Sequence, residues 1–101
     1  MTKMATVRFQ SVGDTLYAYL SGEIDHHSAQ LLRRRIDGEI AGRMPESLVM
    51  DFGNVGFMDS SGVGLILGRA KQMQAYEGKL VVQHPPAPVQ KMLKLARIDF
   101  A

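Results

Sequence analysis

Asp59, Ser60 and Ser61 stand together in the stretch GFMDSSGVGLILGR, residues 56–69, and Gly62, Gly64 and Gly68 follow within it. A carboxylate and two hydroxyls ahead of a glycine-spaced apolar run suit the start of a helix, read as beginning near Ser61. The first N–H groups of a helix have no intrahelical acceptor and carry the positive end of its dipole. On this reading the amides of Gly62 and its neighbours point toward the serines and can take a phosphate. A serine there therefore fits a phosphoacceptor on a folded domain. It fits an N-cap as well, a role worth about 1 kcal/mol.

The glycines pose a second question. A glycine inside a helix costs about 0.8–1 kcal/mol relative to alanine, and Gly64 and Gly68 lie four apart on one face. Either that face packs tightly within the domain, or something from outside approaches it. Gly62 falls at the helix start, where backbone freedom is useful.

Other chemistries fit less well. The strained turn of a serine hydrolase reads G-x-S-x-G, and neither serine has both glycines. His26, His27 and His84 could supply a base, yet nothing in the sequence brings one to Ser60. Adjacent histidines also point apart, whereas helical metal ligands want i, i+4 spacing. No G-x-x-x-x-G-K-[ST] loop occurs. Arg33, Arg34 and Arg35 read as the solvated side of a helix or as recognition of an acidic partner.

The elements that must position these residues follow from periodicity. Residues 5–11 and 15–20 alternate at period two around VGD, giving an antiparallel hairpin. From Ser28 the spacing of Ala29, Leu32, Ile36 and Ile40 lines one helical face, with Asp25 or Ser28 as cap and Gly42 and Pro45 closing it. SLVMDF, 47–52, reads as a buried strand. The second helix presents Val63, Ile66, Leu67, Ala70 and Met73 inward, KLVVQ at 79–83 is a strand, and a third helix opens with Pro88 and buries Val89, Met92, Leu93 and Ala96. The order β-β-α-β-α-β-α predicts an α/β domain with a mixed, mostly parallel four-stranded sheet and one antiparallel edge strand.

Composition narrows the function. A chain of 101 residues with 46% hydrophobic and 22% charged residues reads as one globular domain, 1–101. A net charge of +2 is too small to mark a nucleic-acid binder. No run reaches membrane-span length, MTKMATVRFQ lacks an apolar leader, and cysteine is missing, so a cytoplasmic setting is expected, without membrane, disulfide or thiolate metal site.

Taken together, SGEIDHHSAQLLRRRID at 21–37 and VMDFGNVGFMDSSGVGLILGRAKQM at 49–73 closely resemble the anti-sigma factor antagonist family, whose fold is the STAS domain. The resemblance runs from Val7 to Ile98, and GEIDHH with MDSSGVGLILGR looks most like the stage II sporulation antagonists of endospore-forming bacteria. It implies a regulatory protein that is not an enzyme and needs no cofactor. Ser60 matches the serine phosphorylated by a partner that is both an ATP-dependent serine kinase and an anti-sigma factor. The unphosphorylated form binds that kinase and frees the sigma factor, and a metal-dependent serine/threonine phosphatase restores it. Asp25 is carried over as a kinase contact, Asp59 precedes the acceptor, and Ser61, Gly62 and Gly64 complete the expected partner surface. A phosphate adds about 1.5 to 2 negative charges, so the resemblance implies a local electrostatic switch.

The chain departs from the family after the third helix, where a further strand and helix usually follow. The sheet is thus expected to lack a fifth strand, leaving an edge open to another chain and Leu93, Ile98 and Phe100 more exposed. Two alternatives remain: an antagonist or scaffold of a general-stress sigma pathway, and a small anion- or nucleotide-binding module.

Overall fold

Gly13 takes φ +58° and turns the chain between β1 (Thr6–Val12) and β2 (Thr15–Ile24) in the computed structural model, which describes residues 4–101. Residues 1–3, part of the stretch read as lacking a leader, lie outside the described residues. There follow α1 (His26–Arg43), β3 (Ser47–Met58), α2 (Ser60–Ala75), β4 (Lys79–Gln83) and α3 (Ala87–Leu95). The sheet order is β1-β2-β3-β4, antiparallel between β1 and β2 and parallel thereafter. This is the order and the mixed sheet expected from periodicity.

Two strands run further than the sequence suggests. β2 continues past Leu20 to Ile24, and β3 past Phe52 to Met58. Gly22, Gly53, Asn54 and Gly56 erase the local strand signature, but parallel pairing carries across them with irregular register between Tyr19 and Ser21 and between Gly22 and Glu23. Gly22 has φ +88°, and a Cβ there would run into the carbonyl of Met4 and the Cα of Ala5. Only glycine lets β2 pass beneath that backbone.

Alternate residues of β2, Leu16, Ala18 and Leu20, are buried, with Leu48, Met50 and Val82 in register beside them. The helices cover this face with Leu32, Ile36 and Ile40 from α1, Leu65, Ile66 and Met73 from α2, and Val89 and Leu93 from α3. Each fully buried side chain of this kind contributes about 1.5–3 kcal/mol, more than a cap at about 1 kcal/mol. Packing therefore holds the helices in place, while caps fix where they start. The other face of the sheet carries Tyr17 stacked on Tyr19 at 5.9 Å and the Arg8 guanidinium 4.5 Å above the Tyr19 ring.

The buried stripe of α2 is Gly62, Leu65, Ile66, Arg69 and Met73. Leu67, read as inward-facing, is half exposed. The stripe is rotated because an arginine occupies an inward position, which an apolar pattern does not admit. Leu93, expected to be more exposed, is fully buried, and Ile98 and Phe100 pack against the core. Ala101 donates its N–H to the Val82 carbonyl at 2.8 Å and accepts from the His84 N–H at 3.1 Å, so part of the β4 edge is engaged by the chain itself. Among the described residues, no helix is long and apolar enough to cross a membrane.

Candidate functional site

β2 and β3 run parallel with Ile24 opposite Met58. Each strand hands its next residue, Asp25 or Asp59, to the start of a helix at the same end of the sheet. Both aspartates are N-caps in extended conformation. The Asp59 N–H donates to the Ile24 carbonyl at 3.1 Å, tying the two caps together. The sequence puts a carboxylate beside each strand exit, and the parallel register places the two carboxylate-bearing caps side by side.

Asp25 and Ser28, alternatives for the first cap in the sequence reading, act jointly. Asp25 Oδ1 accepts from the Ser28 N–H at 2.8 Å, and Ser28 Oγ accepts from the Asp25 N–H at 3.0 Å. This reciprocal pair is a capping box. The Ser28 amide and hydroxyl, with His27 adding a smaller effect, hold the Asp25 carboxyl below the usual carboxylate range.

At the second cap the structure corrects the expectation. Asp59 is the cap, not a serine, and α2 starts at Ser60. Asp59 Oδ1 accepts from the Ser61 N–H at 2.8 Å, and the Asp59 carbonyl accepts from the Gly62 N–H at 3.0 Å. The amides read as free for a phosphate are thus already engaged. Ser60 is exposed, and its hydroxyl makes no hydrogen bond among the described residues. A phosphate placed there would not find the Ser61 and Gly62 amides free.

The glycines divide. Gly62 is buried, and a Cβ there would overlap Met58 Cγ and Sδ, so it shapes the helix entry by accommodating Met58. Around Gly64 and Gly68 an added Cβ would meet nothing within 4 Å. Tight internal packing does not explain these two. Ser61 is half buried and, with Gly64 and Gly68, lines a surface groove between α1 and α2.

Phe57 was not singled out by sequence reasoning. It pairs with Glu23 in the sheet, two residues before Asp59, and is 48% exposed. Strand parity does not mark it, because burial along the end of β3 does not alternate: Val55 and Met58 are buried, Gly56 and Phe57 exposed. An exposed aromatic is a common anchor for a protein partner. No histidine hydrogen-bonds to Ser60 or Ser61: His26 and His27 lie exposed in the first turn of α1, and His84 Nδ1 lies 2.8 Å from Asp51 Oδ2. Among the described residues, no three His, Asp or Glu side chains converge as metal ligands.

A parallel pair of strands thus feeds two joined aspartate caps, with an exposed hydroxyl behind the second. The STAS domain family matches residues 6–101, and the chain belongs to that family. A Paenibacillus polymyxa protein named anti-sigma F factor antagonist is 40% identical over 81 residues, which is 80% of this chain and 69% of that one. The solved structure of the anti-sigma factor antagonist SpoIIAA in its unphosphorylated form superposes with TM-score 0.83 at 31% identity, covering 92% of this chain and 82% of that one. The Bacillus cell fate determinant SpoIIAA in its phosphorylated form matches with TM-score 0.74 at 30% identity, over 90% and 83% of the two chains. The role the antagonist names give is regulatory.

Proposed function

We propose that this chain is an anti-sigma factor antagonist switched by phosphorylation of Ser60. Unphosphorylated, it binds an anti-sigma factor that is also an ATP-dependent serine kinase and so releases a sporulation sigma factor. Phosphorylation of Ser60 ends that binding, and a metal-dependent serine/threonine phosphatase reverses it. Asp25, Asp59, Ser61 and Gly64 belong to the docking surface, while Gly62 sets the geometry of the helix entry. The chain itself carries out no catalysis.

The observation that carries this reading is the Ser60 hydroxyl, exposed and unbonded at the first position of α2 behind two joined caps. A kinase can reach it without unfolding anything. The added charge of about −1.5 to −2 lands beside carboxylates, one of which, Asp25, is held ionised by its hydrogen bonds. A partner surface shaped for a neutral hydroxyl then meets steric overlap and an unpaired charge, which can shift affinity by several kcal/mol. That SpoIIAA has been solved in both phosphorylation states, each with this fold, supports a switch that leaves the domain folded.

The test is incubation with the cognate kinase and ATP, followed by intact mass and phosphosite mapping, with Ser60→Ala and Ser61→Ala in parallel. One phosphate, lost only in Ser60→Ala, is expected. An unmodified wild-type chain in the presence of a demonstrably active kinase would refute the assignment.

A further inference from the structure

α1 and α2 pack side by side, and a surface groove of about 360 Å³ runs between them. Ser61, Gly64, Gly68 and Arg69 line it from α2, and His26 and Arg33 from α1. Helix propensity disfavours both glycines, and no neighbouring atom forbids a side chain at either. What they provide is depth.

The charge in the groove is unbalanced. Arg69 is only 8% exposed. Its Nε lies 2.9 Å from Asp37 Oδ1, but the N–H is directed at Gln72 Oε1, 3.2 Å away, so the Asp37 contact is an ion pair without a directed hydrogen bond. Arg69 Nη1 is buried and has no acceptor. Burial lowers the Arg69 guanidinium from its ordinary value, Asp37 opposes this, and the nearby Arg33 lowers it further. Among the described residues Asp37 pairs with Arg69 alone, so the guanidinium of Arg33 stands nearby as a second positive charge, and one buried Arg69 donor is left over.

We propose that this groove docks an acidic polypeptide segment, with a carboxylate entering between Arg33 and Arg69 and the segment's backbone lying over Gly64 and Gly68. The length of the groove favours a polypeptide over a small anion: Ser61 to Arg69 spans about 12 Å of helix, several times the reach of one phosphate. The inference goes beyond phosphorylation of Ser60 and does not require it, although it shares Ser61 and Gly64 with the docking surface proposed above.

The test is titration of the 15N-labelled chain with acetyl-hexaglutamyl amide, followed by NMR at low and at physiological salt. Amide shifts centred on Gly64 and Gly68, together with the Arg69 Nε–H, are expected. Arg33→Glu and Gly68→Glu, both at positions free of packing, should weaken binding at least about tenfold without lowering the melting temperature. Lys91→Glu on α3, the same charge change elsewhere, should leave affinity within about twofold. Ser60→Ala should bind like wild type, which separates this result from any outcome at the phosphoacceptor. The proposal is overturned by shifts spread over Lys71, Lys91 and Lys94 that no groove variant alters, by no binding, or by inorganic phosphate displacing the peptide at equal concentration, which would mark a small-anion site.

Discussion

A methyl group added at Gly62 would run into Met58, whereas one added at Gly68 would meet nothing within 4 Å. Gly62→Ala is therefore expected to destabilise the domain by about 1–3 kcal/mol through overpacking. Gly68→Ala is expected to stabilise it by about 0.5–1 kcal/mol, because helix propensity improves and nothing opposes the methyl. Urea unfolding of the two variants checks both signs. The sequence raised the question for Gly64 and Gly68 but could not answer it, since the answer depends on what lies across from each residue. Ser60 drew attention more directly, because it is contiguous in the chain with the residue that caps α2. It misassigned the cap because Asp, Ser and Ser are all good capping residues and only backbone geometry chooses among them.

At the scale of elements, the middle of β3 and the end of β4 are joined through Asp51. Its carboxylate accepts from the Gly53 N–H, from Gln83 Nε2 and from His84 Nδ1, each at 2.8 Å. Burial by itself would raise this carboxyl, but the Gly53 amide, His84 and Gln83 together hold it below the usual carboxylate value of 3.8. A carboxyl whose pKa is lower in the folded state contributes stability that is present above its unfolded pKa and lost as pH falls through the folded one. Asp25 contributes with the same sign. The stability of the wild type is expected to drop as pH falls below about 4, and Asp51→Asn is expected to flatten that dependence while costing about 1–3 kcal/mol at neutral pH. Denaturant unfolding as a function of pH measures both. Little of this cluster was legible beforehand: Asp51 sits inside an apolar run that reads as core, and its side-chain partners are 32 and 33 residues away. The extensions of β2 and β3 were hidden for a similar reason, since pairing with neighbours overrides the weak strand propensity of glycine and asparagine.

For the whole molecule, the alternation of strands and helices was enough to anticipate the sheet, because right-handed crossovers leave few arrangements of β-β-α-β-α-β-α. The same topology explains the site. Parallel strands end together, so helices that follow them start together, and Asp25 and Asp59 meet although they are far apart in sequence. The groove between α1 and α2 was not legible, because it depends on how two helices lie against each other and on an arginine turned inward. The phosphoserine switch belongs to this scale as well, since it requires that a docking surface be spoiled while the fold persists. The most direct measurement is calorimetric titration of the anti-sigma kinase with the unphosphorylated and the Ser60-phosphorylated chain, alongside thermal melting of both. Affinity is expected to fall by about 100-fold or more on phosphorylation, with melting temperatures within about 2 °C of each other. Equal affinity of the two forms, or a phosphorylated domain that melts far earlier, would contradict a switch that acts by local charge on an intact fold.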